Sequence, residues 1–331
     1  MHPAPIRKQE KTTITQVGFF DSLYCLLLFL LICSEESLDK THFFFGQDFP
    51  HKLVGNFKHK TYVQWPSSAV GKAFALVGTR VCKYIRYPFL KTATLYGQDN
   101  LQMTSALIGH RKLHVVEDGV INYTLSTHRR HRFLKRLIGG RLMGDDPFGN
   151  SDCVEKLYLT GLSLVPEEVK EKVEFINPQQ LWKEASVQKQ DQIFAAYNLT
   201  RDQMEKFRSI ETLLITQPLS EDGVLSEEEK ILLYRNLMGD KNFAIKPHPR
   251  EKTNYNIYFP QHTILDNLIP MELLNLCNIR FKEVYTIFST AALSFPYDVQ
   301  LHFAGTSVHP KLVEKFGKVS FKNGKIVTER K

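Results

Sequence analysis

The chain has 331 residues, 43% hydrophobic and 24% charged. These are values of ordinary globular proteins, and they exclude a disordered tail protein, a collagen-like repeat and a polytopic membrane protein; at roughly 100–200 residues per domain the length implies about two domains. Forty-three Lys and Arg against 35 Asp and Glu leave a formal charge of +8, which points to an anionic partner: nucleic acid, an acidic membrane surface or an anionic substrate. The five cysteines, Cys25, Cys33, Cys82, Cys153 and Cys277, are widely spaced and form no CxxC. They suggest neither a disulfide framework nor a zinc site and read as reduced core thiols of a cytoplasmic protein.

Ile14–Phe20 (ITQVGFF) reads as a strand, Asp21 or Ser22 as a helix cap, and Thr41–Gly46 (THFFFG) as the next strand. Between them, Leu23–Cys33 is an unbroken apolar run of 11 residues preceded by Arg7, Lys8 and Lys11, as in a signal peptide. The run is well short of the ~20 residues that span a bilayer. It meets Asp21 when extended backwards, and SEESLDK after it offers no small-x-small cleavage site. A helix buried on all sides in a βαβ unit is the preferred reading, with a signal anchor or signal peptide as the alternative.

Ala93–Gly97 (ATLYG) is a short strand, with Asp99 as a cap for the helix after it. Leu113–Val116 (LHVV) is a strand ending in Glu117-Asp118-Gly119. Asn122 and Tyr123 follow, then a basic stretch, His128–Arg141, with six Lys or Arg and no acid. Gly139, Gly140, Gly144 and Pro147 make the next segment loop-like. Lys156–Phe175 holds the strand-like KLYLTGLS and an acidic helix start, PEEVKEKV.

A second series opens with the strand Thr212–Thr216 (TLLIT) and the loop Gln217–Gly223 (QPLSEDG). Ser226 and Glu229 form a capping-box pair for a helix running to about Met238, which Gly239 ends. Asn242–Lys246 (NFAIK) is a strand followed by the loop Pro247-His248-Pro249-Arg250-Glu251. Val284–Phe288 (VYTIF) is a strand after which Ser289-Thr290 open a small-residue helix, and Gln300–Phe303 (QLHF) is another strand. The basic C-terminal VSFKNGKIVTERK reads as a loosely held terminus. Repeated β-loop-α units imply an α/β protein with parallel sheets covered by helices. The expected division is 1–160 as one Rossmann-like domain, 161–210 as a connection and 211–331 as a second Rossmann-like domain.

In such sheets ligands bind at the carboxyl ends of strands. Four polar clusters fall there: Glu117-Asp118-Gly119, Gln217–Asp222, Lys246–Arg250 and Ser289-Thr290. A carboxylate can take a proton from an attacking hydroxyl, and Gly119 lets the chain turn beside it. An imidazole can support a leaving phosphate, on a loop stiffened by Pro247 and Pro249. Ser289, Thr290 and the helix start behind them can hold phosphate oxygens, and Lys246 and Arg250 add positive charge. This suggests transfer from a nucleotide-activated donor to a hydroxyl. GxGxxG, GxxxxGK[ST] and a DxD triplet are all missing, which weakens dinucleotide, P-loop and metal-held sugar-nucleotide readings.

Together VVEDG (Val115–Gly119), KPHPRE (Lys246–Glu251) and YTIFSTAAL (Tyr285–Leu293) resemble the motifs of bacterial sialyltransferases. The pattern looks like glycosyltransferase family 52, which sialylates lipooligosaccharide, and shares its logic with capsular polysialyltransferases. The resemblance implies a GT-B fold, two Rossmann-like domains with the active site in the cleft between them. It implies a CMP-sialic acid donor, inversion at the anomeric carbon, and neither metal nor cofactor. By the same resemblance His248 assists departure of CMP, Ser289 and Thr290 hold its phosphate, and Glu272 binds the ribose. Lys246, Pro247 and Pro249 line the nucleotide pocket; Gly119, Asn122, Gln217 and Arg250 complete the substrate-binding set.

The base stays open. The polysialyltransferase pattern places it at Glu117. Family 52 places it at an aspartate just after the first strand of the second domain, where Asp222 lies in a loop longer than the pattern. Glu117 or Asp118 is slightly preferred. The acceptor is a glycan, either galactose of lipooligosaccharide or an oligosialic acid, and another GT-B nucleotide-sugar transferase is the alternative. The expected location is cytoplasmic and peripheral on the inner membrane face, with His128–Arg141 against anionic headgroups. A homodimer is one expected state. Nucleic acid is not an expected partner, because stacked aromatic and helix-turn-helix signals are missing.

Overall fold

The computed structural model describes residues 13–123, 132–293, 295, 297–322 and 325–329. The chain divides into two compact units between Asn198 and Leu199.

The first unit is built on seven parallel strands: β1 (Gln16–Phe20), β2 (Thr41–Phe45), β3 (Lys60–Tyr62), β4 (Thr94–Gly97), β5 (Leu113–Val116), β6 (Val154–Leu159) and β7 (Val173–Phe175). Their order is β3-β2-β1-β4-β5-β6-β7, so the winding reverses between β1 and β4. Such a sheet is covered on both faces, and its strands read as continuous apolar runs; Phe43, Phe44 and Phe45 are all buried.

The apolar run after β1 is a core helix, Leu23–Ile32, with every residue from Cys25 to Leu31 buried. Ser22 is its cap, its hydroxyl accepting from the Cys25 amide at 3.1 Å; the Asp21 side chain is left for another use. Among the described residues no helix is long and apolar enough to cross a membrane. All five cysteines are free, four buried as expected and Cys82 exposed.

The expected connection 161–210 is largely part of this unit. Val173–Phe175 extends the sheet as β7, and the acidic PEEVKEKV forms a 3-10 run, Glu167–Lys172, in place of an α-helix start. Helices Pro178–Glu184 and Val187–Ala196 follow. The Lys189 ammonium and the Tyr197 hydroxyl donate to the carbonyls of Leu31 and Leu23, at 2.6 and 2.8 Å. These long-range contacts, invisible in local composition, carry the unit to Asn198.

The second unit holds five parallel strands: β8 (Thr212–Ile215), β9 (Ala244–Lys246), β10 (Thr263–Ile264), β11 (Glu283–Thr286) and β12 (Gln300–Phe303). In the order β10-β9-β8-β11-β12 the winding reverses between β8 and β11. Helix Glu227–Met238 starts at the expected capping box, Ser226 with Glu229, and ends at Gly239 with φ 55°. The small-residue helix after β11 is only a 3-10 turn, Thr290–Leu293; Pro296 disfavours helical backbone in the residue before it. The basic terminus forms an antiparallel pair, β13 (Lys318–Lys322) with β14 (Lys325–Glu329). The Thr306 hydroxyl pins it, donating to Gly317 O at 2.7 Å and accepting from the Val319 amide at 2.8 Å.

Candidate active site

Polar residues gather at the carboxyl ends of the strands in both units. In the first unit, Glu117 at the end of β5 is fully buried. Its carboxylate accepts from the hydroxyls of Tyr24 (2.8 Å), Tyr123 (2.6 Å) and Thr160 (2.8 Å) and from the Thr160 amide (2.6 Å). Four donors occupy its lone pairs, so Glu117 ties β5 to the chain after β6. Burial, then Glu117, pushes the Tyr123 phenol up to about 12.

Asp118 is the accessible member of the pair. It is half-buried, and its Oδ2 accepts from Gln98 Nε2 at 2.6 Å. Burial raises its pKa against hydrogen bonds from Ser22 and Gln98. Gly119 turns the chain at φ 90°, a left-handed conformation that favours glycine. Asn122, expected at the substrate, is buried, and its Oδ1 accepts the Asp118 amide at 2.6 Å. It holds the turn.

In the second unit the strand ends of β8, β9 and β11 converge. Gln217 after β8 accepts the Phe288 amide on Oε1 at 3.1 Å and donates its own amide to the Tyr234 hydroxyl at 2.8 Å, bridging the β8–β11 reversal. Ser289, buried beyond β11, is held by its amide on Thr286 Oγ1 at 3.1 Å. Lys246 ends β9, buried, with Nζ donating to the carbonyls of Pro247 and Asn267 at 3.2 Å each. Burial lowers it to about 8, opposed by Asp266, Glu272 and Glu251. It therefore stays charged at neutral pH, beside Glu272 in the first turn of helix Met271–Leu276.

His248 is half-buried, and its Nδ1 accepts the Arg250 amide at 3.2 Å. The neutral ring then carries its hydrogen on Nε2. Burial, then Arg250, holds its pKa below the ordinary histidine value, so at pH 7 the ring is a neutral N–H donor. Arg250 in turn grips Asp222 through two hydrogen bonds, 2.7 and 3.2 Å. His248, Arg250 and Asp222 thus form one cluster between Pro247 and the β8 loop. Neighbouring Glu221 is engaged differently. Burial raises its pKa, but the amide of Lys252 (2.7 Å) and then Lys230 (3.3 Å) and Ser220 (3.0 Å) bring it down to about 2. A carboxylate so stabilised is a poor proton acceptor at neutral pH.

Sequence reasoning assigned no role to the residue that organises this loop. Glu251 accepts from the His248 amide at 2.7 Å, the Tyr255 hydroxyl at 2.7 Å, Lys230 Nζ at 3.3 Å and the Thr216 hydroxyl. It closes KPHPRE three residues after His248, the one signal available; Lys230, in an acidic helix start, gives none. Asp21 and Gln98 were also missed as site residues. Gln98 joins the ends of β1 and β5, its Oε1 accepting the Asp21 amide at 2.6 Å and its Nε2 donating to Asp118. A glutamine thus stands at each winding reversal, Gln98 in one unit and Gln217 in the other.

Two doubly wound parallel sheets, each with a polar cluster at its strand ends, define a GT-B type architecture. The structure is similar to the GT-B domain, residues 113–497, of a sialyltransferase from Photobacterium damselae, with TM-score 0.52 and 11% identity over 87% of this chain and 90% of that one. An uncharacterized protein of Haemophilus influenzae is 35% identical over 236 residues, 70% of this chain and 74% of that protein. Residues 57–312 match the model of glycosyltransferase family 52; the chain belongs to that family, and all three motifs lie inside the match.

Proposed function

We propose that the protein is an inverting, metal-independent sialyltransferase that moves sialic acid from CMP-sialic acid to a hydroxyl of a terminal sugar, galactose of lipooligosaccharide or a capsular glycan. The observation that carries this reading is the His248 ring. Its tautomer is set by the Arg250 amide, which leaves Nε2–H as the donor, on the loop after β9 in a sheet where β8 and β11, followed by Gln217 and Ser289, lie on one side of it. In the reaction the bond from the anomeric carbon to the phosphate oxygen breaks and its electron pair leaves with CMP. The Nε2–H group of His248 donates a hydrogen bond to the departing phosphate, and Ser289 holds its oxygens; the side chain of Thr290, expected beside it, lies outside what is described. The acceptor oxygen forms the new bond from the opposite face and passes its proton to a carboxylate.

That carboxylate is Asp222 in this proposal. Glu117 is enclosed by four donors and Glu221 is held far into its ionised form, whereas Asp222 is exposed and is tied by Arg250 to the His248 loop. Asp222→Asn should lower kcat by about 10²–10⁴-fold, the usual worth of a general base, with the donor KM within about threefold. Assays of CMP release and product formation, with Asp118→Asn in parallel, check it. Near wild-type turnover in Asp222→Asn beside an inactive Asp118→Asn would move the base to Asp118.

An anionic membrane surface fits the expected location. Of the expected basic segment, residues 128–131 lie outside the described residues. Helix Arg132–Gly139 exposes Phe133 and Leu137 and adjoins helix Ala69–Arg86, which exposes Val70, Phe74, Val81 and Ile85. Arg80 joins the two, donating to the carbonyls of Arg136 and Ile138 at 3.2 and 3.3 Å. Neither helix contains an acid, and an apolar face flanked by Lys and Arg suits a lipid interface. Co-sedimentation with phosphatidylglycerol vesicles should be strong at low salt and fall in the Phe74→Ser/Phe133→Ser double variant. Binding to neither anionic nor phosphatidylcholine vesicles, or a dimer in sedimentation that the double variant abolishes, would overturn this.

A further inference from the structure

We propose that the winding reversal of the first unit holds the acceptor sugar, with the Asp21 carboxylate reading one of its hydroxyls. This rests on the transferase reading above and names the acceptor's binding residues. Ligands of doubly wound sheets sit where the winding reverses, and a cavity of about 180 Å³ opens there, lined by Asp21, Gln47, Asp48, Trp65, Lys72 and Asn100 among others. It is small beside the several-hundred-Å³ pockets of larger ligands, a size suited to one sugar ring.

The Asp21 side chain has no structural task at its own helix, since Ser22 provides the cap. The backbone of the β2 loop aims it, the amides of Asp48 and Phe49 donating to Oδ1 at 3.2 and 3.0 Å. No described residue donates to Oδ2. Gly46 leaves the room for this: a Cβ there would lie 2.3 Å from Asp21 Oδ1. Behind the carboxylate, Gln98 fixes the Asp21 amide and joins it to Asp118, giving a rigid support.

Burial, then the charge of Asp48, pushes Asp21 up to about 6. The two amides on Oδ1 stabilise the carboxylate, but burial and the charges of Asp48 and Asp118 outweigh them, and among the described residues no cation pairs with it. A sugar hydroxyl donating to Oδ2 would satisfy it. The cavity supplies the other elements of sugar recognition: an indole for the apolar ring face, and carboxamides and an ammonium for further hydroxyls.

The test uses the full chain with Asp21→Asn and Trp65→Ala. Acceptor KM should rise at least tenfold in each. Donor KM, and CMP release without acceptor, should stay within about twofold. Saturation-transfer NMR with lactose, N-acetyllactosamine and oligosialic acid, without donor, should show binding to the wild type that Asp21→Asn abolishes. Sugar binding without CMP release would fault the donor reading and leave this one standing. Unchanged acceptor KM and sugar binding in both folded variants, or no binding of any of the three by the wild type, would overturn it.

Discussion

His248→Ala should lower kcat by about 10²–10⁴-fold while the thermal midpoint stays within a few degrees. The side chain is half-buried, and its one described hydrogen bond, from the Arg250 amide, can be replaced by water. His248→Gln should recover part of the loss, because a carboxamide N–H can donate to the leaving phosphate where alanine cannot. The pH profile adds a check. The ring's pKa lies below the ordinary histidine value because of burial and then Arg250, so it is already neutral at pH 7. Raising the pH through 7 to 8 removes little charge from a ring whose pKa lies below the ordinary value, and kcat should show no falling limb above pH 7 from this group. Stopped-assay kinetics from pH 5.5 to 8.5 on wild type and His248→Gln would reveal it. A falling limb near neutrality that disappears in His248→Gln would mean that the ring transfers a full proton from its charged form.

Glu251→Ala should cost about 3 kcal/mol of stability in the second unit, the lower end of the usual penalty for breaking a buried pair, because Lys230 keeps Glu221 at 3.3 Å and Thr253 at 2.7 Å. The side chains of Glu251 and Lys230 are both fully buried, 3.3 Å apart. Removing the carboxylate also strips an acceptor from Thr216, Tyr255 and the His248 amide. Urea denaturation should show the drop as a lower midpoint with little change in slope. Lys230→Met in the same background removes a buried ammonium left with one of its two carboxylates, Glu221 at the rim of the cluster, and should restore part of the stability. It should not restore turnover, because the His248 amide still lacks its acceptor and the loop is no longer held. Recovery of both together would mean that Glu251 serves stability alone.

The motifs were legible because their chemistry is local. KPHPRE and YTIFSTAAL sit at strand ends, and strands betray themselves by short apolar runs between turn residues. The capping box Ser226–Glu229 and the buried helix Leu23–Ile32 were readable for the same reason, within one turn or one run of residues. EDG was located but its members were not sorted. Glu117 and Asp118 are neighbours in sequence, yet one points into the sheet's packing and meets four donors while the other stays half-exposed. That difference depends on Tyr24, Tyr123 and Thr160, which no local pattern connects to Glu117.

The elements missed have the same cause. β3 and β7 are three residues each, too short for periodicity, and exist because a neighbouring strand offers them a ladder. Helix Ala69–Arg86 carries its apolar stripe, Val70, Phe74, Val77, Val81 and Ile85, on its exposed face, so it adds no strand-like or core-like run to the pattern of the unit. The C-terminal pair β13–β14 is held by Thr306, whose hydroxyl ties both ends of the segment between.

By itself the sequence determined the α/β class, the presence of two Rossmann-like units, the three motifs and the strand ends that carry them. These follow from hydrophobic periodicity, turn residues and residue type, all properties of short stretches. Only the tertiary structure decided where the chain divides, which carboxylates are enclosed and which remain accessible, and how Glu251, Lys230, Asp21 and Gln98 enter the site. Those outcomes depend on burial and on donors brought together from near neighbours and from as far as 93 residues away, and a carboxylate's chemistry is set by its donors and its access to solvent.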